Sequence, residues 1–216
     1  MAPAPRPLIC AHRGASAYYP ENSRDALLAA IELGADMIET DVRRAPDGTL
    51  VLSHQPPGSA DGLVTLGEFL ELAGDRVVVD LELKEPGYEA EVVAALDPRP
   101  ARLVISSFDP ACVAAIRRLA PDIDAALLFG EQAIGSDLFA QADACDATVM
   151  APQFFHLTPE LGEEARRRGR RLIVWTVNDA AVMDHVIAEP ATWAMITDVP
   201  DVGLARRAAH GGGAAV

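Results

Sequence analysis

The chain reads as a single-domain α/β protein, a (β/α)8 TIM barrel, on three observations. Short β-rich runs alternate with helix-patterned runs eight times along its 216 residues. Half of those residues are hydrophobic, enough for one sizeable core. No glycine-rich nucleotide fingerprint follows the first strand, which counts against the competing open, doubly wound sheet. The length lies a little below the roughly 250 residues usual for such barrels.

The first expected strand covers 8–12 (LICAH), followed by a helix over 22–34. The second strand, 37–42 (MIETDV), leads into a stretch that breaks the simple unit. Asp47-Gly48 is a turn signal, and 49–54 (TLVLSH) is a hairpin-like extension ending at His54. A helix over 65–74 comes next, then strand 77–84 (VVVDLELK) and a helix over 88–97. The remaining strands are 102–108 (RLVISSF), 124–129 (DAALLF), 147–152 (ATVMAP), 171–177 (RLIVWTV) and 194–199 (AMITDV). Helices follow them over 110–120, 133–143, 158–169, 179–189 and 200–210, most with apolar residues at helical spacing. Asn22, Thr65, Asp109, Thr158 and Asp179 stand where N-caps belong, and Gly34, Gly74 and Gly169 where helices should stop. The expected layout is an extension over 1–7, the barrel over 8–209 and a flexible tail over 210–216.

A formal charge of −14 repels nucleic acid and anionic membranes at long range, without forbidding an anionic small substrate in a locally cationic cleft. Cys10, Cys112 and Cys145 are widely spaced and odd in number, which argues for small buried hydrophobes in a reducing compartment. The N-terminus shows no signal-peptide pattern, and no run reaches the ~18 apolar residues of a membrane span. These features together predict a cytoplasmic chain without stable membrane insertion or a nucleic-acid partner, as a monomer or small homo-oligomer.

Alternation sends successive side chains of a strand to opposite faces. Ile38, Thr40 and Val42 share one face, and Glu39 and Asp41 the other. Likewise Val77, Val79, Leu81 and Leu83 oppose Asp80, Glu82 and Lys84. Helices should cover the apolar sets, leaving the charged sets inside the barrel near the C-terminal strand ends, where barrel active sites are built. Facing buried carboxylates repel one another unless a hard divalent cation offsets them, and all-oxygen ligation fits Mg²⁺ or Ca²⁺ better than zinc. The bland alternative is ion pairing of Glu39 or Glu82 with Lys84 or an arginine.

AHRG places His12 and Arg13 at the same rim, and His54 adds a second imidazole. A cation, an arginine, a lysine and two histidines suit displacement at phosphorus, where charge on oxygen needs stabilising and two oxygens exchange protons. His156, His185 and His210 read as structural, the last within the tail. In PENS, Ser23 reads as a helix cap, and Glu21 as a cap-region residue or a group orienting His12 or a water. Trp175 reads either as core or as an apolar wall for a polyol.

The ordered series AHRG, PENS, IETDV, DGTLVLSH, LELK, SSF, VWTVND and ITDVPD resembles the glycerophosphodiester phosphodiesterase family over about 8–207. The resemblance implies a (β/α)8 barrel and divalent-metal-dependent cleavage of a small-molecule glycerophosphodiester to glycerol 3-phosphate and an alcohol such as choline or ethanolamine. It implies Glu39, Asp41 and Glu82 as metal ligands, and His12 and His54 as the general acid/base pair. Arg13 and Lys84 match the phosphate clamp, and Trp175 the lining of the glycerol pocket. His12 is assigned as base and His54 as acid. The sequence departs from the family at Gln55, where an aspartate is usual after the second histidine, and in the short connection 55–69, which should leave the pocket open. Two alternatives stand beside this reading. One is a phospholipase D-like or cyclic-phosphate-forming barrel lipase acting on lysophospholipids. The other is a non-catalytic barrel that binds a phosphorylated metabolite.

Overall fold

The computed structural model describes residues 6–97 and 100–211. Its strands are β1 (Leu8–His12), β2 (Met37–Arg44), β3 (Leu50–Leu52), β4 (Val78–Leu83), β5 (Leu103–Ser107), β6 (Asp124–Phe129), β7 (Val149–Pro152), β8 (Arg171–Val174) and β9 (Thr192–Thr197). Its helices are α1 (Arg24–Glu32), α2 (Leu66–Ala73), α3 (Glu89–Ala95), α4 (Pro110–Leu119), α5 (Leu138–Ala144), α6 (Pro159–Arg168), α7 (Ala180–Ala188) and α8 (Pro200–Gly211). All strands but β3 are parallel and close into a barrel, with β1 hydrogen-bonded to both β2 and β9. β3 returns antiparallel along the far end of β2, pairing Val42 with Leu52 and Arg44 with Leu50. That hairpin carries β2 two residues past its expected end and delivers His54 to the rim.

Alternation divides the interior as the sequence predicts. Ile38, Val42, Val79, Leu81, Ile105 and Leu127 face outward and join Leu27, Phe69 and Ile116 in the core between sheet and helices. Each such fully buried side chain contributes about 1.5–3 kcal/mol. Cys10, Met37, Val78, Val104, Val149 and Ile173 point inward and fill the lower barrel. One step nearer the C-terminal ends, the inward positions become Glu39, Asp41, Asp80, Glu82 and Ser106, all buried. The apolar layers beneath hold the barrel together while its mouth stays polar.

Local chemistry sets the helix ends. Thr65 and Glu68 form a reciprocal capping box on α2, while Asp109, Thr158 and Asp179 cap α4, α6 and α7. Gly169 ends α6 in the left-handed conformation. The N-cap of α1 is Ser23, which accepts from Ala26 N; Asn22 is not a cap. α5 starts only at Leu138, because Glu131–Ala133 forms a separate 3₁₀ turn and Asp137 supplies the cap. α8 continues to Gly211, so His210 lies in its last turn, paired with Asp184 at 2.9 Å, rather than in a tail. Residues 1–5 of the expected extension and 212–216 of the expected tail lie outside the described residues.

β8 stops at Val174, short of the expected Val177, and β9 spans Thr192–Thr197, two residues earlier than read at each end. All three cysteines are free and buried. Among the described residues, no helix is long and apolar enough to cross a membrane.

Candidate active site

β1 ends at His12, and the chain then turns sharply through Arg13 (φ 55°) and Gly14 (φ 82°). A Cβ on Gly14 would fall 2.5 Å from the carbonyl carbon of Ala26, so only glycine lets this turn rest on α1. The turn aims the Arg13 backbone N–H at Glu39, 2.9 Å from its carbonyl and 3.1 Å from Oε2.

Glu39 and Asp41 of β2 meet Glu82 of β4, which lies opposite Asp41 in the strand register. One oxygen from each lies within 4.8 Å of the others. Two cations stand among them. Lys84 Nζ donates to Glu82 Oε1 at 2.6 Å and lies 3.2 Å from Asp41 Oδ1. Arg13 Nε lies 2.9 Å from Asp41 Oδ2 with its N–H off line, while its guanidinium NH1 donates to Glu21. Glu21 thus steers Arg13, and not His12 or a water as the sequence allowed.

Glu39 is the carboxylate without a cation of its own. Its Oε1 is buried with no hydrogen-bond partner. Burial, followed by the charges of Asp41, Glu82 and Asp80, pushes its carboxyl well above the usual range. Burial works the same way on Asp41, but Lys84, Arg13 and a hydrogen bond from Asn22 outweigh it and hold that carboxyl low. Glu82 is raised, by burial first, with Lys84 opposing. Three clustered carboxylates, one oxygen of them unpartnered, against two side-chain cations are a donor set that fits a hard divalent cation.

The two histidines flank this cluster. His12 Nδ1 lies 2.6 Å from Asp198 Oδ1, and its Nε2 lies 3.9 Å from Glu39 Oε2. Asp198 also accepts from Ser16 Oγ and Asn178 Nδ2, and the hydrogen bond from His12 leads the causes that depress its carboxyl to about 2. His54 Nδ1 lies 3.4 Å from Asp41 Oδ1, and its side chain is one-third exposed. The exposed Gln55 lends the site no carboxylate; its carbonyl accepts from Ser53 Oγ.

Trp175 lies inside the barrel mouth. Its indole N–H donates to Ala151 O at 2.6 Å, and its ring meets Phe108 edge-on, centroids 5.5 Å apart. These two rings wall a cavity of about 160 Å³ that His12, His54, Glu39 and Lys84 also line. Asp80, raised by burial to about 7, and Ser106, which donates to it at 2.7 Å, line the same cavity. All eight residues singled out from the sequence therefore gather at one rim.

Four polar participants escaped the sequence reading. Asn22, at φ 58° and 5 % exposed, donates to Asp41 Oδ2 at 2.8 Å, and its own Oδ1 accepts from the Asp41 N–H. Two adjacent capping residues before one helix were the available signal, since only one can cap. Asp198 belongs to the quoted ITDVPD stretch but had been given no role. Asp80 and Ser106 each sit two residues from a residue in the LELK or SSF motif, on the inward alternation.

Comparisons with known proteins agree with this geometry. The model of the Glycerophosphoryl diester phosphodiesterase family matches residues 12–85 and 78–202. A glycerophosphodiester phosphodiesterase of Caldanaerobacter subterraneus subsp. tengcongensis is 30% identical, over 93% of this chain and 98% of the relative. An Oleispira antarctica phosphodiesterase, solved with the product sn-glycerol-3-phosphate, shares the fold at a TM-score of 0.82 and 22% identity, covering 93% of this chain and 96% of that one. A glycerophosphodiester phosphodiesterase from Parabacteroides distasonis superposes with the same TM-score at 21% identity, covering 95% and 98%. With nearly its whole length matched in sequence and its barrel matched in structure, the chain belongs to the glycerophosphoryl diester phosphodiesterase family, a class of phosphoric diester hydrolases.

Proposed function

We propose that this site hydrolyses glycerophosphodiesters to glycerol 3-phosphate and an alcohol by two-histidine acid–base catalysis, with Mg²⁺ or Ca²⁺ held by Glu39, Asp41 and Glu82. The observation that carries the reading is the buried carboxylate cluster with its unpartnered Glu39 oxygen, set between two imidazoles on one rim. When bound, such a cation supplies Lewis-acid stabilisation of negative charge on the phosphoryl oxygens.

Arg13 and Lys84 would clamp the phosphodiester, exchanging part of their present pairing with Asp41 and Glu82 for phosphoryl oxygens. His12 acts as base. As donor to the Asp198 carboxylate, Nδ1 carries the ring proton, which leaves the Nε2 lone pair facing the cavity. It takes the proton of the nucleophile, a glycerol hydroxyl or water. His54 gives its proton to the departing alkoxide as the P–O bond breaks. If a glycerol hydroxyl attacks, a cyclic phosphate forms first and water then opens it. Trp175 and Phe108 offer the polyol an apolar wall. The proposal includes a small-molecule substrate without a nucleic-acid partner and a monomer or small homo-oligomer. It places the chain in the cytoplasm, in keeping with three unpaired, buried cysteines.

The test is hydrolysis of glycerophosphocholine with Mg²⁺ or Ca²⁺, then with chelator, then with metal restored. Choline and glycerol 3-phosphate should appear, stop and reappear. Turnover that ignores the chelator overturns the metal assignment. A stable cyclic product moves the reading to the cyclic-phosphate-forming alternative, and no turnover of any glycerophosphodiester moves it to a binding barrel.

A further inference from the structure

Beside the cavity runs an apolar lip that the mechanism above does not use. Phe108, Ile134, Phe154 and Phe155 are 37–66 % exposed, high values for such large apolar side chains. They come from the loops after β5, β6 and β7, and contacts join them. Phe108 meets Trp175 edge-on and lies against Gly130. The Gly130 carbonyl bonds His156 Nε2 at 2.9 Å, and the His156 ring packs on Phe155 at 4.5 Å. Phe155 meets Phe154 at 5.9 Å, and the Phe154 N–H returns to Trp175 O at 2.8 Å. The path thus starts and ends at the tryptophan that walls the cavity.

This inference rests on the phosphodiesterase reading. We propose that the lip of Phe108, Ile134, Phe154 and Phe155 holds the single acyl chain of a lysophospholipid whose glycerophosphate sits in the cavity, so that the enzyme also releases headgroup alcohol from one-chain lipids. Size favours this occupant. A cavity of about 160 Å³ lies well under the roughly 300 Å³ at which drug-sized pockets begin. Glycerol phosphate fills such a space, and a chain attached to the glycerol has to leave over the neighbouring wall. That wall is Trp175 and Phe108, and the exposed aromatics continue from it.

The chemistry is unchanged. Water adds to phosphorus, the P–O bond to the headgroup alcohol breaks, the alcohol keeps the proton, and the acyl ester stays intact. A one-chain lipid also retains a free glycerol hydroxyl, so either nucleophile considered above remains available.

The test measures choline release from lysophosphatidylcholines of six to twelve acyl carbons, below their micellar concentrations, beside glycerophosphocholine. One methylene moved out of water onto an apolar surface is worth up to about fourfold, so partial cover on an open lip should raise kcat/KM about ten- to a hundredfold across the series. Ile134→Ser and Phe155→Ser should flatten that rise and leave glycerophosphocholine turnover within about twofold, in keeping with surface substitutions outside the cavity. Hydrolysis of glycerophosphocholine with no lysolipid turnover, or with rates indifferent to chain length, overturns the inference and leaves the phosphodiesterase reading intact. Failure on every substrate sinks that reading, and the inference with it. Fatty acid released in place of choline also overturns it. So does a length dependence that survives both substitutions while they convert a dimer to a monomer in sedimentation, because the lip would then belong to a second copy of the chain.

Discussion

Replacing Glu39 by glutamine should stabilise the metal-free protein while abolishing its response to divalent cations. Glu39 and its two carboxylate partners offer oxygens no more than 4.8 Å apart, a separation at which each like-charged pair costs about 3.5 kcal/mol at an effective dielectric of 20. Lys84 and Arg13 serve Asp41, and Lys84 also serves Glu82, but neither bonds Glu39. The folded state therefore holds the Glu39 proton to a higher pH than the unfolded chain does. The sign follows from linkage. Above the ordinary value of 4.5 the unfolded chain releases that proton and the native state keeps it, so native stability falls as pH rises. The loss is at most about 1.4 kcal/mol per pH unit, or about 3–5 °C in Tm for a chain of this size.

In chelator, E39Q should melt above wild type at pH 8, and the gap should close as pH falls toward 4.5. Added cation at a hundred times its Kd stabilises wild type by about 2.7 kcal/mol, roughly 5–11 °C, and should leave E39Q unmoved. Melts by circular dichroism across pH, with and without Mg²⁺ or Ca²⁺, supply both readouts. An E39Q protein that is less stable than wild type in chelator at pH 8, or that keeps the cation-induced shift, refutes the reasoning.

Asp198→Asn removes a charge-assisted bond of 2.6 Å to His12, worth about 1.5–3 kcal/mol, and should lower kcat about ten- to a hundredfold with KM and cation affinity little changed. The Asp198 carboxyl is depressed from 3.8 to about 2, so its stabilising effect is complete above about 4 and disappears as pH falls through 2; the Tm difference between wild type and D198N should close over that interval. His54→Ala should abolish turnover and leave calorimetric cation affinity near wild type, and a matching loss of affinity would make His54 a ligand or a prop. Asn22→Ala strips Asp41 of two buried hydrogen bonds and should cost about 1–3 kcal/mol in urea unfolding, with weakened cation binding. Gly14→Ala forces a methyl group against the Ala26 backbone at positive φ and should destabilise more than Asn22→Ala; a neutral result would show that the turn can shift off α1.

The barrel and most of its mouth were legible because alternation is a local rule. Once Ile38 and Val42 are taken as outward, Glu39 and Asp41 must point inward, and the same holds for Glu82 beside Leu81 and Leu83. The contacts that escaped depend on geometry that alternation does not carry. Asn22 reaches Asp41 only through a left-handed backbone, and in sequence it is as plausible a cap as Ser23. Asp198 lies 186 residues from His12 and meets it only because β9 closes against β1. Strand ends also slipped where the hydrophobic pattern outlasts the ladder: after Val174 the chain leaves the sheet, so Trp175 and Thr176 both line the cavity where strict alternation would part them. The aromatic lip lies wholly in loops, where neither hydrophobic period applies.

The closure of β9 on β1 has a consequence for biosynthesis. The imidazole at position 12 leaves the ribosome almost at once, but the carboxylate that holds it is made only when nine-tenths of the chain has been translated. A growing polypeptide can assemble the acidic cluster from its first eighty-odd residues and still lack a positioned base. Competence thus arrives with the final strand, and the nascent chain passes through synthesis as an acid-rich, catalytically idle intermediate.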